Sequence, residues 1–477
     1  MTSPFTSQGL IRELAEFTIR GNDGDIIKEF NPDWCETLAC TLVSTMIGQE
    51  RYLSNDFGKI YGNIFCIYVG ASGLGFKTVP LKKVVRPTLK QLTIRLNERE
   101  AHAIEMDVGS IRDKLRQMKK ATSRNKEYNE ERAKLESVLN KLVDFEAPQK
   151  FTSEFLYSWL TDFPQGMIAG DEYTKMFRGS KRKDWLSDNM EDLSRLYDCD
   201  PEKVGTQSRG VEYPENAFIS FVSATTYYLL TIMDDDFFIQ GTGNRILWIL
   251  DENREEINVD EEAMKANFWW GIKDDKAFYQ EHNNLIEKLL KIQLLPEGLI
   301  LIEPEASVIL DKYRLTKWNE AIRIFNKNRL NMDANFISRL AQNAMKLALI
   351  HCVGRYVLDD IDTQQMEVNQ YDAQWAIDKM ERHFNYYIEM MRLAPEIRKS
   401  HTKNYRNDQE RVLYWIDEFE KKGKKITFTG LMDQTSWMRE DLQKILESLV
   451  LTKKIKTVEG RIYAGKRITH YVRGDVQ

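Results

Sequence analysis

The sequence is short of the features that mark secreted, membrane-spanning or metal-built proteins. Its 477 residues include five cysteines, Cys35, Cys40, Cys66, Cys199 and Cys352. None has the paired spacing of a zinc site, and so few thiols fit a reducing interior. Cys66 lies in an apolar run, where a free thiol acts as a small hydrophobe. No stretch approaches about 18 uninterrupted apolar residues, so no membrane span is expected. The N-terminus has no basic region leading into an apolar run, which predicts no signal peptide and a cytoplasmic location. There is no large charge excess either. The formal net charge is -5, so the chain as a whole selects no partner by charge. Its length allows two or three domains.

What is present centres on Asn63–Pro80. Ile64–Val69 is an apolar run of strand length, followed by Gly70-Ala71-Ser72-Gly73-Leu74-Gly75-Phe76-Lys77-Thr78 and a helix-like segment. Strand, Gly-rich turn, Lys-Thr and helix is the physical recipe for binding phosphate. Glycines let backbone N–H groups curl toward one point, and the helix adds free N–H groups and a positive dipole end. Lys77 is placed to reach the β- and γ-phosphates and Thr78 to ligate magnesium. The usual spacing is G-x-x-x-x-G-K-[ST], whereas Phe76 separates Gly75 from Lys77 here. The plain alternative is an ordinary Gly-rich strand-to-helix turn.

Around this stretch, residues 1–55 read as a helical lead-in, with Trp34–Met46 as a core helix. A charged helical insertion at about 85–145 has arms at Gln91–Asp107 and Ile111–Val143, parted by Lys119–Tyr128. Ser153–Leu160 reads as a helix. Gly166–Gly170 reads as a strand ending in Asp171-Glu172, where open α/β sheets carry their chemistry. Asp171 is a magnesium ligand candidate and Glu172 a candidate to polarise water. Residues 178–212, with Arg178, Lys181, Arg182 and Lys183, read as an exposed loop that either faces nucleic acid or is plain surface. A strand at 217–226 ends in Thr225-Thr226, and Arg245 stands at the entrance of the strand-like run to Leu250. Residues 301–395 are mostly helical. Phe336–Leu349 carries Arg339, and Tyr371–Arg392 follows as another long helix.

Glu396–Asp408 reads as a linker. Over 409–473, helices at Glu410–Phe419, Thr427–Gln434 and Met438–Leu451 precede a hairpin, the pattern of a winged helix–turn–helix. From His401 to Gln477 there are 16 Lys and Arg against 11 Asp and Glu. That balance suits a nucleic-acid module, with Lys453, Lys454, Lys456, Arg461, Lys466 and Arg467 as phosphate contacts. Winged domains also dock proteins, so both partners stay open.

In this order, the elements resemble the AAA+ P-loop ATPases of DNA replication, in particular the primase-associated and MCM-like helicase domains of viruses, plasmids and mobile elements. The resemblance covers about residues 50–390. It implies an α/β fold: an AAA+ core over 56–300, a helical lid over 301–395, then the winged helix. It assigns Gly70, Gly73, Gly75, Lys77 and Thr78 to Walker A, and Asp171 and Glu172 to Walker B. Thr225 or Thr226 falls at sensor 1, where the MCM-type Asn is absent. Arg245 resembles the arginine given to an adjacent subunit, and Arg339 resembles that of sensor 2. The implied cofactors are ATP and Mg2+. The implied partners are DNA, further copies in a hexameric ring and a separate primase, because no primase domain is recognisable. The implied function is a replicative DNA helicase. A nucleotide-dependent switch or loader without unwinding, and a non-enzymatic winged-helix regulator, are the alternatives.

Overall fold

The computed structural model describes residues 4–20, 30–56, 58–71, 77–102, 142–149, 151–174, 184–201, 204–206, 210–212, 214, 216–233, 237–238, 241–251, 275–329, 331–359, 366–403, 405–435, 439–463 and 466–474, plus isolated positions at 114, 131, 134 and 135. Gly73, Gly75, Phe76, most of the insertion (including Lys119–Tyr128) and the basic residues Arg178, Lys181, Arg182 and Lys183 lie outside the described residues. The chain is a mixed α/β protein that divides into two compact units. The larger comprises residues 1–176 and 188–390, and the smaller comprises 177–187 and 391–477.

The larger unit is organised by a four-stranded parallel sheet. In chain order its strands are β3 (Phe65–Val69), β4 (Gln165–Gly170), β7 (Phe218–Thr225) and β8 (Ile246–Leu250). Across the sheet the order is β4-β7-β3-β8. The continuous apolar runs follow from this position: every residue of β3, β7 and β8 is buried, as parallel strands covered on both faces require. Val69 pairs with Thr225 and with Leu250, while Gly170 pairs with Ser223. The carboxyl ends of all four strands therefore share one edge.

Helix Pro32–Ile47 packs against β7 and β4. It starts where the Asn31 side chain accepts the Trp34 N–H at 3.0 Å, with Pro32 in its first turn, a favoured N-terminal arrangement. Its Ser44 hydroxyl meets that of Ser220 on β7 at 2.8 Å. The lead-in is not wholly helical, because β1 (Arg51–Asn55) and β2 (Gly58–Tyr61) form an antiparallel pair. A wide π-helical turn, Leu81–Val85, precedes helix Arg86–His102. Long helices Pro304–Lys327, Met332–Asp359 and Gln370–Lys403 follow the sheet.

Two further sequence readings differ from the structure. The loop expected over 178–212 contains helix Asp184–Tyr197 and the small strands β5 (Val204–Thr206) and β6 (Gly210–Glu212). Leu193, Leu196 and Tyr197 are buried, so a narrow apolar stripe suffices for the helix despite its charged composition. The linker expected at Glu396–Asp408 is helical through Lys403, and the next helix begins at Tyr405. Its Glu, Arg and Lys residues are good helix formers as well as polar ones.

The smaller unit runs helix Tyr405–Lys421, a short strand Ile426–Thr427, helices Phe428–Thr435 and Arg439–Leu451, then hairpin strands Ile455–Tyr463 and Lys466–Arg473. The three strands form one antiparallel sheet, with Lys466–Arg473 in the centre. Val412, Ile416, Ile426, Leu431, Leu442 and Leu449 belong to its core. Arg473 donates to Asp417 and so ties the last strand to the first helix.

Candidate functional site

The carboxyl edge of the sheet gathers charged and hydroxyl side chains that are far apart in sequence. Lys77 is 9 % exposed, and its ammonium donates to the Gly70 carbonyl at 3.3 Å. Burial lowers its pKa, and the carboxylates of Glu172 and Asp251 oppose that shift, because each favours the charged ammonium. Trp34 Nε1 donates to the Lys77 carbonyl at 3.1 Å, so helix Pro32–Ile47 holds the backbone that carries the lysine. Gly70 has a local steric reason. A Cβ there would lie 2.8 Å from the Tyr68 ring and 3.1 Å from Asp251 Cβ. Thr78 follows, half-buried, and its carbonyl accepts the Lys82 N–H at 3.1 Å.

Glu172 is oriented by hydroxyls. Thr225 Oγ1 donates to Glu172 Oε1 at 2.7 Å, and the Thr174 N–H reaches the same oxygen at 3.4 Å. With its one proton on Glu172, Thr225 accepts from the neighbouring Thr174 hydroxyl. Thr225 is fully buried, and its proton is spent on Glu172. The Thr226 carbonyl caps the next turn by accepting the Leu229 N–H at 3.0 Å.

Asp171 is differently placed. Arg86 Nη2 donates to Asp171 Oδ1 at 2.7 Å and to the Ala169 carbonyl at 2.8 Å, and Lys82 Nζ stands 3.8 Å from Asp171 Oδ2. The carboxylate read as a magnesium ligand is thus held by a guanidinium from the helix after the Gly-rich turn. Among the described residues no group of three or more His, Cys, Asp or Glu side chains forms a metal cage. Magnesium in phosphate sites needs only one or two carboxylates beside substrate oxygens and water. The edge carries Asp171, Glu172 and Asp251, so its donor set fits that ion.

The two arginines lie elsewhere. Ile246 pairs with Phe65 and Leu250 with Val69, which sets Arg245 a strand length, roughly 16 Å, from the carboxyl edge. Its Nη2 donates to Asp198 Oδ2 at 2.6 Å and its Nη1 to the Gly241 carbonyl at 2.9 Å. Arg339 approaches the same carboxylate at 3.7 Å and donates to Gln342 Oε1 at 2.8 Å. Arg245 and Arg339 therefore meet each other at Asp198 and are not brought to Lys77. Beneath them Lys346 is buried 3.5 Å over the Tyr197 ring and donates to Asn63 Oδ1 at 2.8 Å. Burial pushes its pKa down to about 7, against the opposing influence of Cys199 and Asp198.

In the smaller unit, Lys453, Lys454 and Lys456 are exposed at the entry to the hairpin. Arg461, Lys466 and Arg467 have backbones in the hairpin strands, and their side chains lie outside the described part. Helix Arg439–Leu451 and the sheet bound a groove of about 790 Å³ lined by Phe428, Arg439, Gln443, Leu446 and Tyr471 among others.

Sequence reasoning did not single out Arg86, Asp251, Thr174, Trp34 or Asp198. Only Asp251 carried a readable signal, as the first residue after an apolar strand. Among the described residues no helix is long and apolar enough to cross a membrane. No protein-family model matches the chain, and no curated protein is significantly similar to it in sequence.

Proposed function

We propose that the chain is an ATP- and magnesium-dependent, DNA-binding motor of the AAA+ type, with an ATPase core and helical lid in the larger unit and a winged helix in the smaller one. One observation carries the reading. A buried lysine that follows a Gly-rich turn stands by two carboxylates, Glu172 and Asp251, at the carboxyl edge of a parallel sheet. Open α/β sheets bind their ligands at that edge. In this reading Lys77 and the loop N–H groups hold the β- and γ-phosphates. Glu172, aimed by Thr225, orients the attacking water. Asp171 and Thr78 would hold magnesium, which neutralises phosphate charge when bound. Arg86 has to release Asp171 for that, and Lys82 lies close enough to follow it. Arg245, on the far edge, is suited to a neighbouring subunit rather than its own nucleotide, in keeping with a ring that hydrolyses at its interfaces. Engagement there requires Asp198 to let go. Arg339 shares that carboxylate, so a lid movement would reach Arg245 through it. Lys453, Lys454 and Lys456 supply phosphate contacts for DNA, with Arg461, Lys466 and Arg467 along the hairpin.

The clasps on Asp171 and Arg245 also favour a second reading, a nucleotide-dependent switch or loader in which hydrolysis is slow and strands are not separated. ATP turnover measured with and without single-stranded DNA across a protein-concentration series, with unwinding of a forked duplex, separates the two. A motor shows DNA-stimulated turnover that rises with assembly, and unwinding that is lost in Lys77→Ala and Glu172→Gln. Unwinding retained in either variant ends the motor assignment. Nucleotide binding with turnover near background in every condition selects the switch.

A further inference from the structure

Away from the carboxyl edge, the extended segment Phe5–Gln8 lies against the first turns of helix Gln370–Lys403. Between them is a cavity of about 440 Å³, within the usual span of small-molecule sites, about 300–1,000 Å³. Phe5, Tyr371 and Trp375 give it apolar walls. Arg12, Lys379 and Arg382 also line it, but the Lys379 ammonium is taken up by Asp33 and Glu36, 2.7 Å from each, so the two guanidinium groups are the cations the cavity offers. Trp375 is 4 % exposed, yet its indole Nε1 is buried without a hydrogen-bond partner. The ring is fixed in place, stacked on His351 with centroids 4.4 Å apart. His351 is in turn held by Asp372 at 2.6 Å. A buried N–H that lacks an acceptor is costly, and an indole can only donate, so the missing partner is an acceptor. The other groups point the same way. Ser7 supplies a hydroxyl. Asp378 is the one acid among the lining residues, and its Oδ1 already accepts Gln374 Nε2 at 2.8 Å. Arg382 uses Nη1 on Asp33 at 3.1 Å, and Arg12 uses Nε on Glu16 at 3.0 Å. Each guanidinium has five N–H donors.

We propose that this cavity is a ligand site for a small organic oxyanion, a carboxylate or phosphate carried on an apolar body. The indole N–H and the guanidinium groups take the oxyanion, since guanidinium geometry matches carboxylate and phosphate oxygens. Phe5, Tyr371 and the Trp375 ring take the body. The site is independent of the nucleotide reading above and stands whether or not Lys77 binds phosphate.

The test is calorimetric titration of the full chain with phenyl phosphate, benzoate and inorganic phosphate, repeated in Trp375→Phe, Arg382→Gln and Lys77→Ala. Trp375→Phe deletes the N–H and keeps a stacked ring. The expected result is binding of phenyl phosphate or benzoate that exceeds binding of inorganic phosphate. The two cavity variants should each weaken it about tenfold or more, a loss of at least one hydrogen bond to an ionised acceptor, while Lys77→Ala leaves unchanged the component of binding that the cavity variants weaken. The preferred probe identifies the oxyanion. Spectra of the unaltered chain labelled with 15N-tryptophan give a readout independent of variant folding: the Trp375 indole resonance, assigned through Trp375→Phe, should shift on saturation. Absence of binding by all three probes at millimolar concentration overturns the proposal. So does a static Trp375 resonance, or binding that survives both cavity variants and disappears in Lys77→Ala.

Discussion

Replacing Lys379 by methionine keeps most of the side-chain volume and removes the ammonium that two acids share. Lys379 Nζ lies 2.7 Å from Asp33 Oδ1 and 2.7 Å from Glu36 Oε2, and Lys379 and Glu36 are 3 % and 2 % exposed. Asp33 would keep Arg382 at 3.1 Å and the Tyr386 hydroxyl at 2.7 Å. Glu36 would keep the Ser7 N–H at 3.0 Å and become a buried charge without a counter-ion. Breaking a buried pair in this way costs about 3–5 kcal/mol, a large part of the 5–15 kcal/mol, roughly, that holds a domain folded.

The pH dependence gives the sharper check. Burial alone would raise both carboxyls, but Lys379, together with hydrogen bonds from Tyr386 to Asp33 and from Ser7 to Glu36, outweighs it and holds them below their ordinary values. In the native chain these groups therefore stabilise above about pH 4 and lose that contribution as pH falls through their folded pKa values. Without Lys379, burial dominates at Glu36 and its folded pKa lies above the unfolded one, so the penalty grows as pH rises and is relieved by acid. Urea unfolding of the larger unit, followed by tryptophan fluorescence at pH 7.5 and pH 5, should show a deficit that shrinks at the lower pH. Adding Glu36→Gln should recover part of the loss at pH 7.5. A deficit under about 1 kcal/mol, the scale of an exposed pair, or one equal at both pH values, would refute the reasoning.

Four further outcomes concern the proposed nucleotide and DNA sites. Lys77→Ala should abolish binding of a fluorescent ATP analogue, whereas Glu172→Gln should keep it and lower turnover by about 100-fold or more, as loss of a water-positioning group does; Thr225→Val, which deletes the hydroxyl on Glu172, should lower turnover by a smaller factor with nucleotide affinity preserved, and a fall in affinity alone would count against that role. Arg86→Gln should reduce the magnesium concentration needed for half-maximal turnover, and an increase would show that the clasp supports the site instead of blocking it. If Arg245 acts across a boundary, mixing Arg245→Ala with Lys77→Ala protein should restore part of the turnover that each lacks, and no recovery at any ratio would remove that role. Charge reversal at Lys453, Lys454 and Lys456 should lower the salt dependence of DNA binding by about one unit of log–log slope for each phosphate no longer neutralised. An unchanged slope would turn attention to the groove beside helix Arg439–Leu451 and a protein partner.

Elements with a strong local pattern were readable in advance. Phe65–Val69, Gln165–Gly170, Phe218–Thr225 and Ile246–Leu250 announce themselves as apolar runs, and Trp34–Met46, the body of helix Pro32–Ile47, shows apolar residues at helical spacing. Asp184–Tyr197 and the stretch from Glu396 to Lys403 did not, because charge is shared by surface helices, loops and linkers alike. The smaller unit was legible almost element by element, except for the two-residue strand Ile426–Thr427, too short for any alternation to register.

By itself the sequence determined which segments are buried strands, where glycine-rich backbone precedes Lys77, and that Asp171, Glu172 and Thr225 each end or follow a strand. These are local properties, set by side-chain period and by the steric freedom of glycine. Only the tertiary structure decided which of these residues meet. The strand order β4-β7-β3-β8 puts Thr225 between Glu172 and the Gly70 turn and brings Asp251 to Lys77. The helix after the turn gives Arg86 to Asp171, and Asp198 draws Arg245 and Arg339 together at the far edge. The reason is physical: an ion pair or a hydrogen bond depends on distances of a few ångströms between groups dozens to hundreds of residues apart. Those distances come from strand order and helix packing, which no local pattern encodes.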